Sequence, residues 1–366
     1  MQPDWLKQHF AAQTTAESAA LTESEQPSAV NRRDFLHGSM LAGVTAGAAA
    51  GGLVAQHHAA HAQPAPAVNP FGKDWWPSPW GPADERGAAN RMTPAKVIEA
   101  VKLIKTGKIY QLGRIYEQGM PLFGSRHYSL TIPGGPTGGP LGAAKLMYND
   151  EMVSGEIGQV GTQFDGLGHV GTLVGNEVIY YNGFKQSDVG GAYGLQKLGI
   201  HNVGVIFTRG VLIDVLGYKG GDRLPIGYVI TLDDVRGALS RQGTREPGEG
   251  DVVLFYTGHS KLWMKDNAEY NKGEPGPGVT AAKWLIERNI CLVGADTWGV
   301  EAITGEDKDR MFECHQWWIT MNGIYIHENL DLEQLAGDRI YEFAYIFSPL
   351  RLKGATGSPG NPIAVV

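Results

Sequence analysis

Asp251-Val-Val-Leu-Phe-Tyr256, then the segment from Thr280 to Arg288, then Ile290-Cys-Leu-Val-Gly-Ala295 decide the architecture of this chain. The outer two are short apolar runs, the pattern of strands buried on both faces. The middle segment spaces its apolar residues along one helical face. Strand, helix and strand in that order argue for an α/β fold with a mixed, partly parallel sheet and flanking helices. Working outward, Thr231-Leu-Asp-Asp234 is a capping box that opens a helix to about Gln242. Thr93-Pro94 starts another, with Val97, Ile98, Val101 and Ile104 on one face and Gly107 at its end. Lys108 to Tyr116 reads as a strand, and Thr131 to Gly142, rich in glycine and proline, as a mobile loop over a pocket. A third helix from Asp309 to Met321 leads to a strand from Gly323 to His327. There is no internal repeat of roughly 20 to 50 residues.

The N-terminal part has a different character. Asn31-Arg32-Arg33-Asp34-Phe35-Leu36 precedes a mild apolar run from Met40 to Leu53, and Ala60-His61-Ala62 offers a small-x-small cleavage site. This pattern predicts a twin-arginine export signal, hence recognition by the twin-arginine machinery and a periplasmic or secreted mature protein. The apolar run is too short and too rich in glycine and alanine to remain as a stable membrane anchor. The organisation expected is a leader at 1–62, a Pro/Ala linker at 63–74 and one domain at 75–366. Removing the leader leaves 366 − 62 = 304 residues, enough for a sizeable core. The whole chain carries −7, and the leader holds 3 basic against 5 acidic residues, so the mature part stands at −7 + 2 = −5. With no basic stripe, nothing points to nucleic acid. Cys291 and Cys314 are the only cysteines, and Cys291, inside an apolar run, reads as a buried strand thiol.

The chemistry concentrates in Gln159-Val-Gly-Thr-Gln-Phe-Asp-Gly-Leu-Gly-His169. In an extended strand Gln159, Gln163 and Asp165 project to one side, and Gly166 and Gly168 permit a turn that swings His169 back over that side. Such a set suits a metal-activated water with a proton shuttle. The same residues also fit an ordinary strand end with a polar turn. Gly166-Leu-Gly-His-Val-Gly171 imitates a dinucleotide fingerprint, but Thr172 to Tyr181 reads as two short β segments around Gly175-Asn176, where that fingerprint needs a helix. His315 and Glu328 are further donors, suited to Zn or Mn and equally to a surface pair. Trp298 and His259 are candidates for the substrate pocket, or for core packing.

The segment Gln159 to His169 resembles the motif H-x-G-T-H-x-D-x-P-x-H of the cyclase family of metal-dependent hydrolases, which includes bacterial kynurenine formamidase and isatin hydrolase. The resemblance continues in Trp80 to Gly87, Arg209 to Asp214, Gly250 to Gly258, Val293 to Thr297, His315 to Asn329, Ser348 to Gly354 and Gly357 to Pro359, in order along nearly the whole mature chain. It implies a swivelling β/β/α fold and hydrolysis of an amide, lactam or related acyl bond of a small substrate. By position it makes Asp165 the central metal ligand, His169 the catalytic base and acid, and His315 and Glu328 further ligands or active-site residues. Gln159 and Gln163 stand where the motif has ligand histidines, and the motif proline is missing from Gly166-Leu-Gly168. Two amides for two imidazoles leave an oxygen-rich set, which favours one divalent metal, Mn²⁺ or Zn²⁺, over a close pair. The resemblance also implies a homo-oligomer. The rival reading is a catalytically inactive, exported small-molecule-binding protein of the same fold. A third reading, a cofactor-dependent oxidoreductase suggested by the export route, has little residue-level support.

Overall fold

Every side chain of Val252–Tyr256 and Leu292–Ala295 is buried, and the two runs lie side by side as parallel strands with Val252 opposite Leu292. They sit in the middle of a nine-stranded sheet in the computed structural model, which describes residues 69–366. Its strands are β1 (Ile109–Gln111), β2 (Gln163–Asp165), β3 (Ile206–Asp214), β4 (Val252–Tyr256), β5 (Leu292–Ala295), β6 (Tyr325–Glu328), β7 (Glu342–Phe347), β8 (Gly357–Pro359) and β9 (Ile363–Val365). The spatial order is β1-β9-β7-β3-β4-β5-β6-β2-β8. Strands β3, β4, β5 and β6 run parallel to one another. The pairings outside them are antiparallel. The fold is therefore α/β with a mixed, partly parallel sheet, as the apolar runs predict. The leader at 1–62 and the first part of the 63–74 linker lie outside the described residues. Among the described residues no helix is long and apolar enough to cross a membrane.

Among the described residues three uninterrupted α-helices of eight or more residues flank the sheet. In α1 (Pro94–Val101) Thr93 caps the first turn, its side chain accepting from the Lys96 N–H. The helix is shorter than the sequence suggests, and Ile98 and Val101 remain exposed. It is the small Ala100, fully buried with Ala344 and Val365 and packed on Phe207 and Ile346, that lets α1 lie close to the sheet. In α2 (Leu232–Gln242) the capping box closes as expected: Thr231 Oγ1 accepts from Asp234 N at 3.2 Å and Asp234 Oδ2 from Thr231 N at 3.0 Å. Gly243, at φ +64°, ends it in the left-handed conformation that glycine adopts without strain. In α3 (Val279–Glu287) Ala281, Ala282, Trp284 and Leu285 face the core. The core centres on β3, β4 and β5, where burying each Val, Leu or Ile contributes about 1.5–3 kcal/mol. Both cysteines are buried and unpaired.

Three local expectations need correction. The strand foreseen at Lys108 to Tyr116 is only β1: Leu112 N–H still reaches Pro362 O in the same register, but Pro362 has no N–H to return and Gly113 N–H meets the Asn361 side chain instead. The helix expected from Asp309 to Met321 starts later, at Glu313, and runs through residue 322 with a π-helical turn at Gln316–Thr320 in its middle. Instead of a loop at Thr131 to Gly142 there is a β arm: Tyr128–Thr131 pairs antiparallel with Met152–Gly155, and Gly138–Leu141 with Leu146–Tyr148. Partners supplied by residues 146–155 turn a glycine- and proline-rich stretch into strands, which local composition cannot reveal. Leu130, Leu146, Met147, Met152 and Val153 on this arm are exposed.

Candidate active site and metal centre

Strand β2 is short and pinned on both sides, so its side chains have little freedom. Gln163 is the cross-strand partner of Glu328, and Asp165 of Ile326, while β8 pairs along the other edge. Gln163 and Asp165 share a face, as the period of two requires, and each is at most 2% exposed. Gln159 is not on the strand. A turn closed by its N–H to Glu156 O precedes β2, and Gly161 adopts φ +60°, where a Cβ would strike the Tyr116 ring at 2.8 Å. That turn carries the Gln159 amide back to the same face, where Nε2 donates to Asp165 Oδ1 at 2.7 Å.

Past Asp165 the glycine turn forms, with His169 N–H donating to Gly166 O at 3.0 Å. It places His169 Nε2 at 3.8 Å from Asp165 Oδ2, with a quarter of the His169 side chain open to the pocket. The decoy dinucleotide fingerprint is followed by an antiparallel hairpin, Thr172–Val174 with Glu177–Ile179, and no helix. The other donors come from the far side. His315 ends the α-turn just where the π-helical turn begins, a local widening of the helix that often accompanies functional sites. Its Nε2 lies 3.3 Å from Glu328 Oε1 and its Nδ1 2.6 Å from Glu301 Oε1. Glu301 also accepts the backbone N–H groups of Cys314 and His315. Gln163 Nε2 donates to Glu328 Oε2.

Asp165, His315 and Glu328 thus offer ligand atoms that all lie within 4.8 Å of one another, and all three residues are buried. Asp165 Oδ2 is buried and has no hydrogen-bond partner. A bare, buried carboxylate oxygen is costly, and a cation is the partner that best relieves it. The donor set therefore fits one hard or borderline divalent metal. Gln159 and Gln163 stand beside this set with their amide nitrogens committed to the carboxylates, which orients the ligands from behind.

Electrostatics follow from burial and neighbours. Burial would lower the His315 pKa, but hydrogen bonds and charge from Glu301 and Glu328 outweigh it and raise it. Burial, and then the Asp165 charge, raises Glu328, with His315 opposing. Burial lowers His169, with Asp165 opposing and the His315 and Arg126 charges adding to the fall. A neutral imidazole at neutral pH is ready to accept a proton.

The pocket above these groups has a volume of about 390 Å³ and is walled by Phe123, Arg126, Trp298 and Phe312. Trp298 lines it. His259 does not: its fully buried ring packs on Tyr270 and its Nε2 meets Tyr270 O at 3.1 Å, the same carbonyl that accepts from Trp298 Nε1 at 3.2 Å. His259 sits one layer behind the wall. Glu301, Phe123 and Arg126 are not foreseen from the sequence. For Glu301 the signal is a lone carboxylate within the apolar run from Trp298 to Ile303, whereas Phe123 and Arg126 leave no local pattern.

Residues 110–302 match the model of a family described as "Putative cyclase". An uncharacterised protein of Methanocaldococcus jannaschii is 31% identical over 151 residues, spanning 41% of this chain and 68% of that protein. A crystal structure described as a novel cyclase is 33% identical, with a TM-score of 0.69 over 78% of this chain and 98% of the other. Isatin hydrolase A from Labrenzia aggregata, bound to benzyl benzoate, is 24% identical with a TM-score of 0.50, covering 70% of this chain and 93% of the other. At that identity the likeness concerns the fold.

Proposed function

The chain belongs to the cyclase family, and from that premise we propose that it is a metal-dependent hydrolase that opens an amide, lactam or related acyl bond of a small substrate. The observation that carries the reading is the unpartnered Asp165 Oδ2, facing the ligand atoms of His315 and Glu328 with His169 3.8 Å away. Asp165, His315 and Glu328 would hold one Mn²⁺ or Zn²⁺. When bound, such an ion supplies Lewis acidity to the acyl oxygen and acidifies water. Gln159 and Gln163 keep the two carboxylates turned toward the ion, and Glu301 fixes the His315 ring from its Nδ1 side. His169 Nε2 accepts the proton of the attacking water and returns it to the leaving nitrogen. Arylformamidase-like chemistry on a C–N bond other than a peptide bond is the specific activity proposed.

The test is metal analysis of the purified mature protein after loading with Mn²⁺ or Zn²⁺, together with assays on aryl formamides and lactams. About one equivalent of metal and hydrolysis are expected. Less than about a tenth of an equivalent, with no hydrolysis, would leave a binding protein of the same fold instead. We also propose export through the twin-arginine machinery and a homo-oligomeric mature protein. Relocation to the cytoplasm on replacing Arg32 and Arg33 with lysine, and light scattering on the mature chain, check these two points.

A further inference from the structure

The pocket contains an aromatic wall and a cation that the hydrolytic groups leave without a carboxylate partner. The Phe123 and Trp298 rings stack with centroids 4.1 Å apart and planes 17° apart, and Phe312 stands at 6.3 Å from Trp298. The Arg126 guanidinium lies 5.6 Å from the Phe123 centroid. It donates one hydrogen bond, to the neutral Gln159 Oε1 at 3.2 Å. Among the described residues no carboxylate pairs with it, although Asp165, Glu301 and Glu328 are all near the pocket floor and each is engaged elsewhere or faces the ligand cluster.

A guanidinium presents five N–H donors in a planar fork that matches a carboxylate, and a single amide oxygen fills little of it. A half-buried cation left so incompletely paired on a pocket wall is a ready anion site. A floor rich in carboxylates repels anionic substrates unless a cation is supplied on the way in, and Arg126 is placed to supply it. The stacked rings beside it offer a flat apolar face of the kind on which a planar ring lies. A volume of about 390 Å³ holds one small ring system with its substituents.

We propose that Arg126 reads a carboxylate carried by a flat ring resting against the Phe123 and Trp298 stack, so that this residue makes the pocket select acid-bearing over neutral aromatic ligands and substrates. The substrate half of this inference rests on the hydrolase reading, and the anion site does not. Two pairs of compounds separate them: N-formylanthranilate with its methyl ester as substrates, and anthranilate with methyl anthranilate as ligands for calorimetry. In the metal-loaded mature protein kcat/KM for the acid exceeds that for the ester by at least about tenfold, and anthranilate binds correspondingly tighter than its ester. Arg126→Gln brings both ratios close to one, and Arg126→Lys, which keeps the charge and loses the fork, falls between. An unchanged ratio in Arg126→Gln overturns the proposal, as does the absence of any acid preference or of anthranilate binding in the unmodified protein. Hydrolysis of both amides without preference removes the anion site and leaves the hydrolase. Arg126-dependent binding of anthranilate without any hydrolysis does the reverse. Unchanged melting temperature and metal content in the lysine variant guard against a folding artefact.

Discussion

Two buried aspartates at the ends of strands in the same sheet have opposite surroundings. Asp296, just past β5, accepts from Thr257 N at 2.9 Å and Thr257 Oγ1 at 2.7 Å on one oxygen, and from Gly258 N and Ser260 Oγ, both at 2.9 Å, on the other. Asp165, at the end of β2, has one donor on Oδ1 and none on Oδ2. Each is at most 1% exposed. A carboxylate whose lone pairs are all answered by neighbouring N–H and O–H groups rivets two loops together and has nothing left to offer a ligand. One left half bare at the same depth costs stability that the fold recovers only when something else binds.

The contrast is broken most sharply by Asp165→Asn. It removes bound metal and lowers kcat/KM by at least about 10³-fold, because the principal anionic ligand is gone. In the metal-free state the same variant unfolds at the same denaturant concentration or is more stable by about 1 kcal/mol, since a buried unpaired charge has been relieved. Asp296→Ala does the opposite. It strands several buried donors and costs about 3–5 kcal/mol in denaturant unfolding, while the folded fraction still takes up metal. If both substitutions cost the same stability, the distinction between rivet and ligand is lost.

His169→Ala keeps its metal and loses about 10²–10³-fold in kcat. The pH profile sharpens the assignment. The His169 pKa is depressed, so the ring is neutral at and above its ordinary value of 6.5, and the acid limb of kcat/KM lies below 6.5. Activity falls as pH drops through the depressed pKa, and the alanine variant lacks that limb. The smallest effect is expected of Gln159→Ala, which removes the donor to Asp165 Oδ1 and weakens metal binding about tenfold by competition titration, with unfolding nearly unchanged.

Much of this arrangement can be read from the chain. The apolar runs of β4 and β5 have no polar alternation because both faces are covered, and the Thr231 box and the Gly175-Asn176 hairpin are local signals. Gln163 and Asp165 fall on one face for the simplest reason, the period of a strand. What the chain conceals is whatever depends on distant partners. Gln159 reaches the site through a turn, not the strand, and the outer arm strands exist because residues 128–131 meet residues 152–155 across the intervening hairpin. Glu301 matters because it holds both His315 nitrogen and backbone, a relation with no spacing rule. Several stretches that carry the family resemblance serve the scaffold: Arg209 is fully buried between Asp251 and Glu342 at 2.6 Å each, and Asp84 ties Arg86, Gly87, Asn90 and Tyr181 together. A motif can therefore mark a fold without marking chemistry.

The pairing of β2 with β6 has a kinetic consequence. Gln163 and Glu328 are 165 positions apart, and between them lie three of the four parallel strands that separate β2 from the rest of the sheet. Closing so long a loop is entropically costly, and a non-local pairing of this kind is expected to form after the parallel centre has condensed. On that order metal capture is expected at the last stage of assembly, and a chelator added during refolding should leave early burial of the core untouched while leaving the finished protein easier to unfold.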